Sequence, residues 1–280
     1  MTKVIVTGGA GQLGQAFSSL ALKEVVALDR QQLDISKANS IRQAIQLYQP
    51  TVVINAAAYT NVEQAELEPE QAFSINEKSA ALLAQICAEQ GIQLIHLSTD
   101  YVFDGTLTNG EYDVNAKTNP LNEYGHAKLL GEQTVKEIME DSHYYIIRTS
   151  WVFGQYGANF VHTMQRLAKT MDKLSIVNDQ VGRPTWTRTL AEFMVYVTTE
   201  NIDYGVYHLS NDNTCTWYEF SKEILKEEAI ELLPVTSKEF PQKAERPKYS
   251  VLDLSKTKQT GFVIPTWQEA LNAFIESLGK

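Results

Sequence analysis

The chain has 280 residues, a formal net charge of −10, 44% hydrophobic residues and 21% charged residues. Such a composition is typical of a globular protein with one large or two closely joined domains. The negative charge argues against nucleic acid and anionic membranes as partners. Cys87 and Cys215 lack the paired spacing of a metal or disulfide framework, and we expect Cys87 to be a buried, inert thiol.

The start of the chain and its hydropathy predict a location. A strand pattern begins at residue 4, and no apolar run approaches the roughly 18 residues that a membrane-spanning helix needs. We therefore expect a cytoplasmic protein with no signal peptide and no membrane partner.

The first half of the chain alternates short β-branched runs with longer helical patterns. Strands are predicted at residues 4–7, 25–29, 52–57, 94–98 and 144–149, and helices at residues 12–22, 40–48, 70–90 and 123–139. Nearly continuous apolar strands separated by helices indicate a parallel sheet that is covered on both faces. Right-handed crossovers then give an α/β fold with a doubly wound parallel Rossmann sheet and ligands at the carboxyl ends of the strands.

The second half of the chain is less regular. Helices are predicted at residues 159–169, 187–199, 217–227 and 266–278, and strands at residues 174–177 and 206–209. Pro234, Pro241, Pro247 and Pro265 predict loops in the tail. We expect residues 1–150 to form a dinucleotide-binding Rossmann domain, rejoined by about residues 184–206. Residues 151–280 would form mainly a smaller, interleaved α/β substrate-binding lobe.

A glycine-rich turn joins the first predicted strand to the first predicted helix. Residues 8–14 read Gly-Gly-Ala-Gly-Gln-Leu-Gly and fit both G-x-G-x-x-G and G-x-x-G-x-x-G. Glycine permits positive φ and lets backbone N–H groups approach a pyrophosphate at the helix N-terminus. This context predicts a dinucleotide cofactor, NADPH or NADH, held by Gly8, Gly11, Gln12, Leu13 and Gly14.

Further cofactor contacts are predicted at the ends of the next two strands. Asp29 would accept hydrogen bonds from the adenosine ribose, or else it is a solvated strand-end residue. Arg30 would pair with a 2′-phosphate, so the preference between NADH and NADPH stays open. Asp34 and Ile35 would line the adenine pocket. Small residues at the third strand end would admit a flat cofactor or simply pack tightly, and the segment comprises Ala56, Ala57, Ala58, Tyr59 and Thr60.

Tyr124 and Lys128 form a Y-x-x-x-K motif in a predicted helix. Residues four apart share one face of a helix, so the ammonium would stabilise the phenolate and lower its pKa from about 10. The phenol would then serve as an acid or base near neutral pH. The motif is short and occurs twice, since Tyr218 and Lys222 form a second copy. Only the first copy follows a strand whose end carries Ser98-Thr99-Asp100, and this position favours Tyr124.

These motifs together resemble the extended short-chain dehydrogenase/reductases. The resemblance rests on the glycine loop, on Ser98-Thr99 at the end of the fourth strand and on the Tyr-x-x-x-Lys pair. Within that superfamily, segments spread over residues 11–247 resemble the dTDP-4-dehydrorhamnose reductase family. The segments are GQLG (11–14), STDYVF (98–103), PLNEYG (120–125), RTSW (148–151), NDQ (178–180) and RP (246–247).

The resemblance implies an NAD(P)H-dependent reduction of the C4 keto group of dTDP-4-dehydro-L-rhamnose, which gives dTDP-L-rhamnose. Tyr124 would donate a proton to the developing alkoxide, and Thr99 would hydrogen-bond the same oxygen. Lys128 would tune Tyr124 and hold the nicotinamide ribose. Ser98 would line the cofactor site, and Thr99, Asp100 and Tyr124 would position the sugar.

Other residues have two possible roles. Trp151 would border the substrate pocket or pack in the core. Arg183 and Arg246 each precede a proline, and each would hold the substrate diphosphate or lie on the surface. His126 has no proton-transfer partner, and we expect it to be solvated.

The sequence contains neither H-E-x-x-H nor paired cysteines, so it predicts no catalytic metal site. A magnesium-assisted dimer is known among such reductases, so Mg²⁺ and the choice between monomer and homodimer stay open.

Two other functions remain open. Nucleotide-sugar epimerases and 4,6-dehydratases share the fold, but the dehydratases typically follow Thr-Asp with Glu, whereas Tyr101 follows Asp100 here. This difference favours simple reduction. A non-catalytic dinucleotide-binding regulatory subunit, like that of methionine adenosyltransferase, is the second alternative. Loss of the Tyr, Lys or Ser/Thr would support it, and all three are present.

Overall fold

A computed structural model describes residues 3–140, 143–200 and 202–278. The outer bounds of the predicted domains, residues 1 and 280, lie outside these ranges. The strands are β1 (Val4–Thr7), β2 (Val25–Leu28), β3 (Val52–Asn55), β4 (Gln93–Thr99), β5 (Tyr144–Thr149), β6 (Val152–Phe153), β7 (Lys173–Val177), β8 (Val181–Gly182), β9 (Thr185–Trp186), β10 (Gly205–His208), β11 (Cys215–Thr216) and β12 (Glu231–Val235). The α-helices are α1 (Gln12–Ser19), α2 (Ala38–Tyr48), α3 (Val62–Ala65), α4 (Pro69–Phe73), α5 (Ala80–Glu89), α6 (Glu123–Ile138), α7 (Phe160–Ala168), α8 (Thr187–Thr199), α9 (Trp217–Ile224), α10 (Ser255–Gln259) and α11 (Trp267–Leu278). None of these helices is both long and apolar enough to cross a membrane.

Six parallel strands form the central sheet in the order β10-β5-β4-β3-β1-β2. The chain moves outward from β1 to β2 and then returns to β3 on the other side of β1. Strand order therefore reverses at β1 and β3, which opens a crevice at their carboxyl ends. This topology confirms the predicted α/β fold with a doubly wound Rossmann sheet.

Two apolar layers cover the sheet because alternate strand residues point to opposite faces. Helices α2, α5 and α6 cover one face, where Val53 and Leu94 are fully buried. Helices α1 and α8 cover the other face, where Ile54 and Ile95 are fully buried. Cys87 lies within the first layer, and burial raises the pKa of its thiol to about 12. The thiol is therefore protonated and unreactive near neutral pH, as the sequence indicated.

A separate apolar cluster lies beside the sheet and is built from the second half of the chain. Helices α7, α9 and α11 pack with β7 around Phe153, Phe220 and Phe274. Pro234, expected in a loop, lies instead within β12, which pairs in parallel with β7. Strand β12 is an edge strand, so the missing proline N–H costs no central ladder hydrogen bond.

The helix predicted over residues 70–90 is interrupted by a π-helical segment at Ser74–Ser79. There the Asn76 side chain accepts a hydrogen bond from the Tyr59 backbone N (2.9 Å) and donates one to the Tyr59 backbone O (3.0 Å). The Asn76 carbonyl also packs directly on Gly131 of α6, where a Cβ would collide with it. This local distortion lets the chain approach both neighbours closely.

Candidate active site

A cavity of about 840 Å³ lies at the carboxyl ends of the central strands. It extends from the glycine loop to the second half of the chain. The predicted site residues in its lining are Gly8, Gly11, Gln12, Leu13, Gly14, Arg30, Asp34, Ile35, Ala56, Ala57, Ala58, Thr60, Ser98, Thr99, Asp100, Tyr124, Lys128 and Trp151. Four predicted residues, all within the described ranges, lie outside this lining: Asp29, Tyr59, Arg183 and Arg246.

The glycine loop is shaped to accept a phosphate group. Gly8 has φ +70°, in the left-handed region that glycine adopts at little cost. A Cβ on Gly14 would collide with the Gly8 carbonyl, so the turn closes tightly. Helix α1 begins after Gly11 with no side-chain cap and no acidic residue in its first turn. Its first N–H groups therefore favour an anion at this end of the cavity.

Gln12 adds a second indication that this end of the cavity receives a ligand. Its side-chain nitrogen donates to the Ala158 carbonyl (3.2 Å), whereas its Oε1 is buried and has no hydrogen-bond partner among the described residues. A buried acceptor without a donor is costly. A dinucleotide carries ribose hydroxyls and an amide that could supply the donor, so these residues fit the predicted cofactor.

Asp29, which the sequence predicts to bind the adenosine ribose, forms hydrogen bonds within its own turn in the structure. The Asp29 Oδ1 accepts hydrogen bonds from the backbone N of Gln31 (2.8 Å) and Gln32 (3.0 Å), which fixes the turn after β2. Arg30 and Asp34 reach the cavity instead, and their charged groups are 3.8 Å apart. A ribose contact of Asp29 thus stays a prediction without support from the cavity lining.

Tyr59 lies next to the cavity and not on it. Its hydroxyl donates to Glu68 (3.5 Å), and its ring packs in the small apolar cluster that also contains Tyr124. Its neighbours Ala58 and Thr60 line the cavity. The tyrosine therefore supports the wall from behind.

The two arginines expected on the substrate diphosphate are bound elsewhere. Arg183 is buried, donates to the Leu252 carbonyl and pairs with Glu111 (2.6 Å). Arg246 pairs with Glu63 (2.6 Å) and also bonds Gln242. Both guanidinium groups have carboxylate partners, because a buried or half-buried charge needs one. Neither arginine lines the cavity, so a phosphate contact of Arg183 or Arg246 stays a prediction without support from the lining.

Asn122 determines where Tyr124 lies. Its side chain caps α6 by accepting from the Gly125 backbone N (2.8 Å), and it donates to the Glu245 carbonyl (2.7 Å). A capping side chain stabilises the start of a helix. Gly125 also packs on the Tyr101 carbonyl so closely that a Cβ would collide with it. The first turn of α6 is thereby held against the end of β4, beside Thr99.

The phenol of Tyr124 is protonated at neutral pH. Burial raises its pKa to about 12, and the nearby Asp100 acts in the same direction, whereas the hydrogen bond of Thr99 favours the phenolate. The expected lowering of this pKa by Lys128 is wrong for this structure. Desolvation of the phenol outweighs the other influences, and the Lys128 amino group is engaged elsewhere.

The Lys128 side chain lines the cavity and is almost fully buried. Its Nζ donates to the Leu97 carbonyl (2.6 Å) and lies 3.5 Å from the His96 Nε2. Burial lowers the pKa of Lys128 to about 8, and Glu132 opposes this shift. The amine therefore changes charge close to neutral pH.

Asp100 is a buried carboxyl group beside the phenol. It accepts hydrogen bonds from the hydroxyls of Ser250 (2.5 Å) and Thr99 (3.2 Å). Burial raises its pKa to about 7. Tyr101 follows it and meets the Tyr124 ring edge-on at 5.9 Å. Burial also raises the pKa of Tyr101. The residue after Asp100 is therefore a protonated phenol and not a second carboxylic acid.

Ser98 belongs to a buried charged network that no sequence motif indicated. Its hydroxyl donates to the Glu132 carboxylate, which also pairs with Arg148 (2.7 Å). Glu132 and Arg148 are at most 3% exposed, and the guanidinium lies 3.3 Å from the His208 Nε2. The network ties α6 to β4 and β5 directly behind the cavity.

Two stacked tryptophans form the far wall. The Trp151 and Trp217 rings are 3.6 Å apart and nearly parallel, and both line the cavity with Phe160. Trp151 has φ +47°, a strained conformation for a large residue. Gly182 leaves room for its ring, since a Cβ there would lie 2.7 Å from it. Sequence reasoning missed Trp217 because no local pattern brings it to Trp151.

The second Y-x-x-x-K copy and His126 lie away from the site. Lys222 packs over the Tyr218 ring at 5.0 Å on α9, and neither residue lines the cavity within the described chain. His126 is exposed and packs edge-on against Phe73. Within the described ranges, no group of three or more His, Cys, Asp or Glu side chains is arranged to hold a metal ion.

Comparison with known proteins gives the family. Residues 1–279 match the family model described as RmlD substrate binding domain. The chain belongs to this family. A curated member of similar sequence is the spore coat polysaccharide biosynthesis protein SpsK of Bacillus subtilis, 41% identical over 99% of this chain and 98% of its own length. The dTDP-4-dehydrorhamnose reductase of Aggregatibacter actinomycetemcomitans is 38% identical over 97% of each chain.

A solved structure agrees with this assignment. The dTDP-4-dehydrorhamnose reductase of Bacillus anthracis, in complex with NADP, superimposes with a TM-score of 0.94 at 38% identity. The match covers 99% of this chain and 100% of that one. The RmlD family member described here therefore shares its whole fold with a reductase whose crystal contained NADP.

Proposed function

We propose that the chain reduces the C4 keto group of dTDP-4-dehydro-L-rhamnose to give dTDP-L-rhamnose, with NADPH or NADH as the reductant. The observation that carries the proposal is that Thr99, Tyr124 and Lys128 line the same cavity as the uncapped N-terminus of α1. One cavity thus joins a phosphate-binding turn to an acid and its supporting groups. The full-length similarity to named reductases supports the same substrate class.

The cofactor would lie along the glycine loop and the ends of β2 and β3. The first turn of α1 would hold its pyrophosphate, and Arg30, Asp34 and Ile35 would surround the adenosine. Ala56, Ala57 and Ala58 have small side chains that would let a flat group approach the backbone. When bound there, the dinucleotide supplies a hydride for the carbonyl carbon.

Tyr124 would supply the proton. Because its pKa is about 12, the phenol carries the proton before the reaction and can hydrogen-bond the substrate C4 oxygen. That oxygen becomes more basic as the carbonyl is reduced, and the phenol then donates to it. Thr99 would donate a second hydrogen bond to the same oxygen and stabilise its developing charge. Lys128 would act as the cation behind this pair.

The sugar would lie between Asp100 and the tryptophan wall. Asp100 presents a carboxyl group that Ser250 orients, and carboxyl oxygens readily bond sugar hydroxyls. Trp151 and Trp217 present apolar surface on the other side, which suits the hydrogen-rich face of a deoxy sugar. We assign no phosphate contact to Arg183 or Arg246.

The residue after Asp100 supports simple reduction over dehydration. Tyr101 occupies the position where the dehydratases of this superfamily carry a glutamate, and burial keeps its phenol protonated. A regulatory role without catalysis would not require Thr99, Tyr124 and Lys128 to converge on one cavity. We therefore keep both alternatives below reduction.

We further propose that two parts of the chain bind different ligands. Residues 1–150, rejoined by the segment around 184–206, would bind the dinucleotide, and residues 151–280 would mainly bind the nucleotide sugar. We place the protein in the cytoplasm as a monomer or homodimer. The net charge of −10 supports the absence of a nucleic-acid partner.

A coupled assay tests the proposal. Purified protein is mixed with enzymatically prepared dTDP-4-dehydro-L-rhamnose and either NADPH or NADH, and cofactor absorbance and sugar products are followed together. We expect one cofactor oxidised for each dTDP-L-rhamnose formed. Cofactor binding without oxidation, by a folded protein, would contradict the proposed substrate and favour another keto sugar or a regulatory role.

A further inference from the structure

The Gln12 side chain joins the glycine loop to the second half of the chain. Gln12 is the first residue of α1, and its Nε2 donates to the Ala158 carbonyl (3.2 Å), 146 residues further along the chain. The same side chain packs on Gly157, where a Cβ would lie 2.9 Å from the Gln12 Cγ. Gln12, Gly157 and Ala158 all line the cavity. One side chain therefore spans two parts of the chain that surround the cavity.

The orientation of the Gln12 amide follows from its contact with Ala158. A carbonyl oxygen can only accept, so the NH₂ group faces Ala158 and the other end of the amide is the oxygen. This Oε1 is buried and has no donor among the described residues. A buried, unpaired acceptor costs free energy, and a bound molecule with an N–H or O–H group would remove that cost. The amide can thus accept from a ligand while it donates to Ala158.

The segment that Gln12 contacts leads directly to the aromatic wall of the cavity. Asn159 caps α7 by accepting from the His162 backbone N (3.1 Å). Phe160 is the first residue of α7 and lines the cavity, and its ring centroid lies 4.5 Å from that of Trp217. A shift at the start of α7 would therefore move the wall that we assign to the sugar.

We propose that Gln12 couples the two ligand sites, so that a bound dinucleotide strengthens the binding of the nucleotide sugar. A hydroxyl or amide group of the dinucleotide would donate to the Gln12 Oε1. This bond would hold the NH₂ group on the Ala158 carbonyl and thereby fix the start of α7 with Phe160. By thermodynamic linkage, the nucleotide sugar strengthens dinucleotide binding by the same factor. The identity of both ligands rests on the proposed function.

The opposite orientation of the amide predicts the opposite sign of the coupling. If the NH₂ group of Gln12 turned to a cofactor phosphate, the amide oxygen would face the Ala158 carbonyl oxygen and the two would repel each other. Cofactor binding would then loosen the start of α7. The uncapped N-terminus of α1 already offers backbone N–H groups to a phosphate, so the phosphate does not require the Gln12 amide.

The first test needs no sugar. Amide hydrogen exchange in peptides that cover residues 155–165 is measured by mass spectrometry, without NADPH and with saturating NADPH. We expect NADPH to slow this exchange about 5-fold in the wild type, the factor that one net hydrogen bond allows. Gln12→Met has a side chain of similar length without the amide, and NADPH should slow its exchange little.

Two outcomes of the exchange measurement would overturn the coupling. One is equal slowing in the wild type and in Gln12→Met, and the other is faster exchange in the wild type when NADPH binds. A wild type that binds no NADPH would overturn the proposed cofactor as well, so this failure can be told apart from failure of the coupling alone.

The second test measures the coupling as a ratio of affinities. The Kd of dTDP-L-rhamnose is measured by calorimetry without NADPH and with saturating NADPH, a pair of reduced ligands between which no hydride is transferred. We expect NADPH to lower this Kd about 5-fold in the wild type and to leave it unchanged in Gln12→Met. Equal ratios in the two proteins would overturn the coupling. Absence of dTDP-L-rhamnose binding would refute the proposed substrate, and the exchange measurement would then decide the role of Gln12.

Three further variants separate the contact from general damage to the loop. Gly157→Ala places a Cβ against the Gln12 Cγ at φ +69°, so it should abolish the coupling although the amide is intact. Gln12→Met combined with Gly157→Ala should lose no more than either change alone, since both break one contact. Gln15→Met is the matched control, because Gln15 is also on α1 but donates to the Ala10 carbonyl (2.8 Å). It should keep the coupling, and its loss there, or additive losses in the double variant, would overturn the proposal.

Discussion

The indole ring of Trp217 lies flat on that of Trp151, with centroids 3.6 Å apart and planes inclined by 11°. Trp151 has a strained backbone conformation, and both rings line the cavity. Trp217→Ala should therefore raise the KM for the sugar nucleotide about 10-fold, because losing apolar contact with the substrate worth roughly 1.4 kcal/mol weakens binding by that factor. The dissociation constant of NADPH, measured by fluorescence titration, should change little. An unchanged KM would show that the stack does not contact the sugar nucleotide.

Removal of the Tyr124 hydroxyl tests its role as the proton donor. Tyr124→Phe should lower kcat by roughly two to four orders of magnitude, as expected for loss of a general acid. Cofactor binding should persist because the ring remains in place. Tyr218→Phe is the matched control, since it alters the second Y-x-x-x-K copy away from the cavity. Wild-type turnover by a folded Tyr124→Phe variant would remove Tyr124 from the mechanism.

Arg30 should govern the preference between the two cofactors. Its side chain is 79% exposed at the cavity edge, where a 2′-phosphate of bound NADPH would lie within reach of its charge. Arg30→Ala should weaken NADPH binding several-fold and leave NADH binding nearly unchanged, because only NADPH carries that phosphate. Arg42→Ala, which removes a surface pair with Glu89, is the control. Equal losses for both cofactors would contradict this assignment.

The raised pKa of Asp100 should appear in the pH dependence of stability. Its pKa is about 7 in the folded chain against an ordinary 3.8, so the folded state binds this proton more strongly. Its contribution to the free energy of unfolding is then full below about pH 3.8 and is lost as the pH rises towards 7.

Asp100→Asn cannot ionise, and its side-chain oxygen still accepts from Ser250. Its free energy of unfolding relative to the wild type should therefore rise between pH 5 and pH 7.5. Urea denaturation at the two pH values measures this difference. A difference that is independent of pH would mean that Asp100 is not desolvated.

The Glu132–Arg148 pair should be costly to break. Both side chains are buried, so Glu132→Gln leaves the guanidinium without its carboxylate and should lower the free energy of unfolding by about 3–5 kcal/mol. The double variant Glu132→Leu with Arg148→Met removes both charges and should recover much of this loss. Urea denaturation of the two variants gives the comparison. Equal losses would attribute the effect to packing rather than to an unpaired charge.

The parallel sheet could be read from the sequence because its strands are local apolar runs. Each run is bounded by turn residues, and its partners follow from the alternation with helices. The side-by-side placement of Thr7, Asn55 and His96 in the sheet could not be read in this way. These residues lie in three separate strands, and only the register that tertiary packing selects makes them neighbours.

The site residues likewise divide into those encoded by local motifs and those that depend on tertiary contacts. Gly8, Tyr124 and Lys128 belong to short motifs whose spacing encodes their geometry, and all three line the cavity. Trp217 and Arg183 depend on contacts between distant segments, so the first was missed and the second was assigned to the surface or a phosphate. Pro234 shows the related difficulty that an edge strand tolerates a residue that predicts a loop.

Transfer of a labelled hydride tests the central proposal most directly. The protein is incubated with dTDP-4-dehydro-L-rhamnose and NADPH that carries deuterium on the nicotinamide C4, with both label stereoisomers used in parallel. We expect one stereoisomer to place deuterium at C4 of the dTDP-L-rhamnose product, with one NADPH consumed for each label transferred. A product without deuterium at C4 from either stereoisomer, or conversion of the sugar without net oxidation of NADPH, would contradict the proposed reduction.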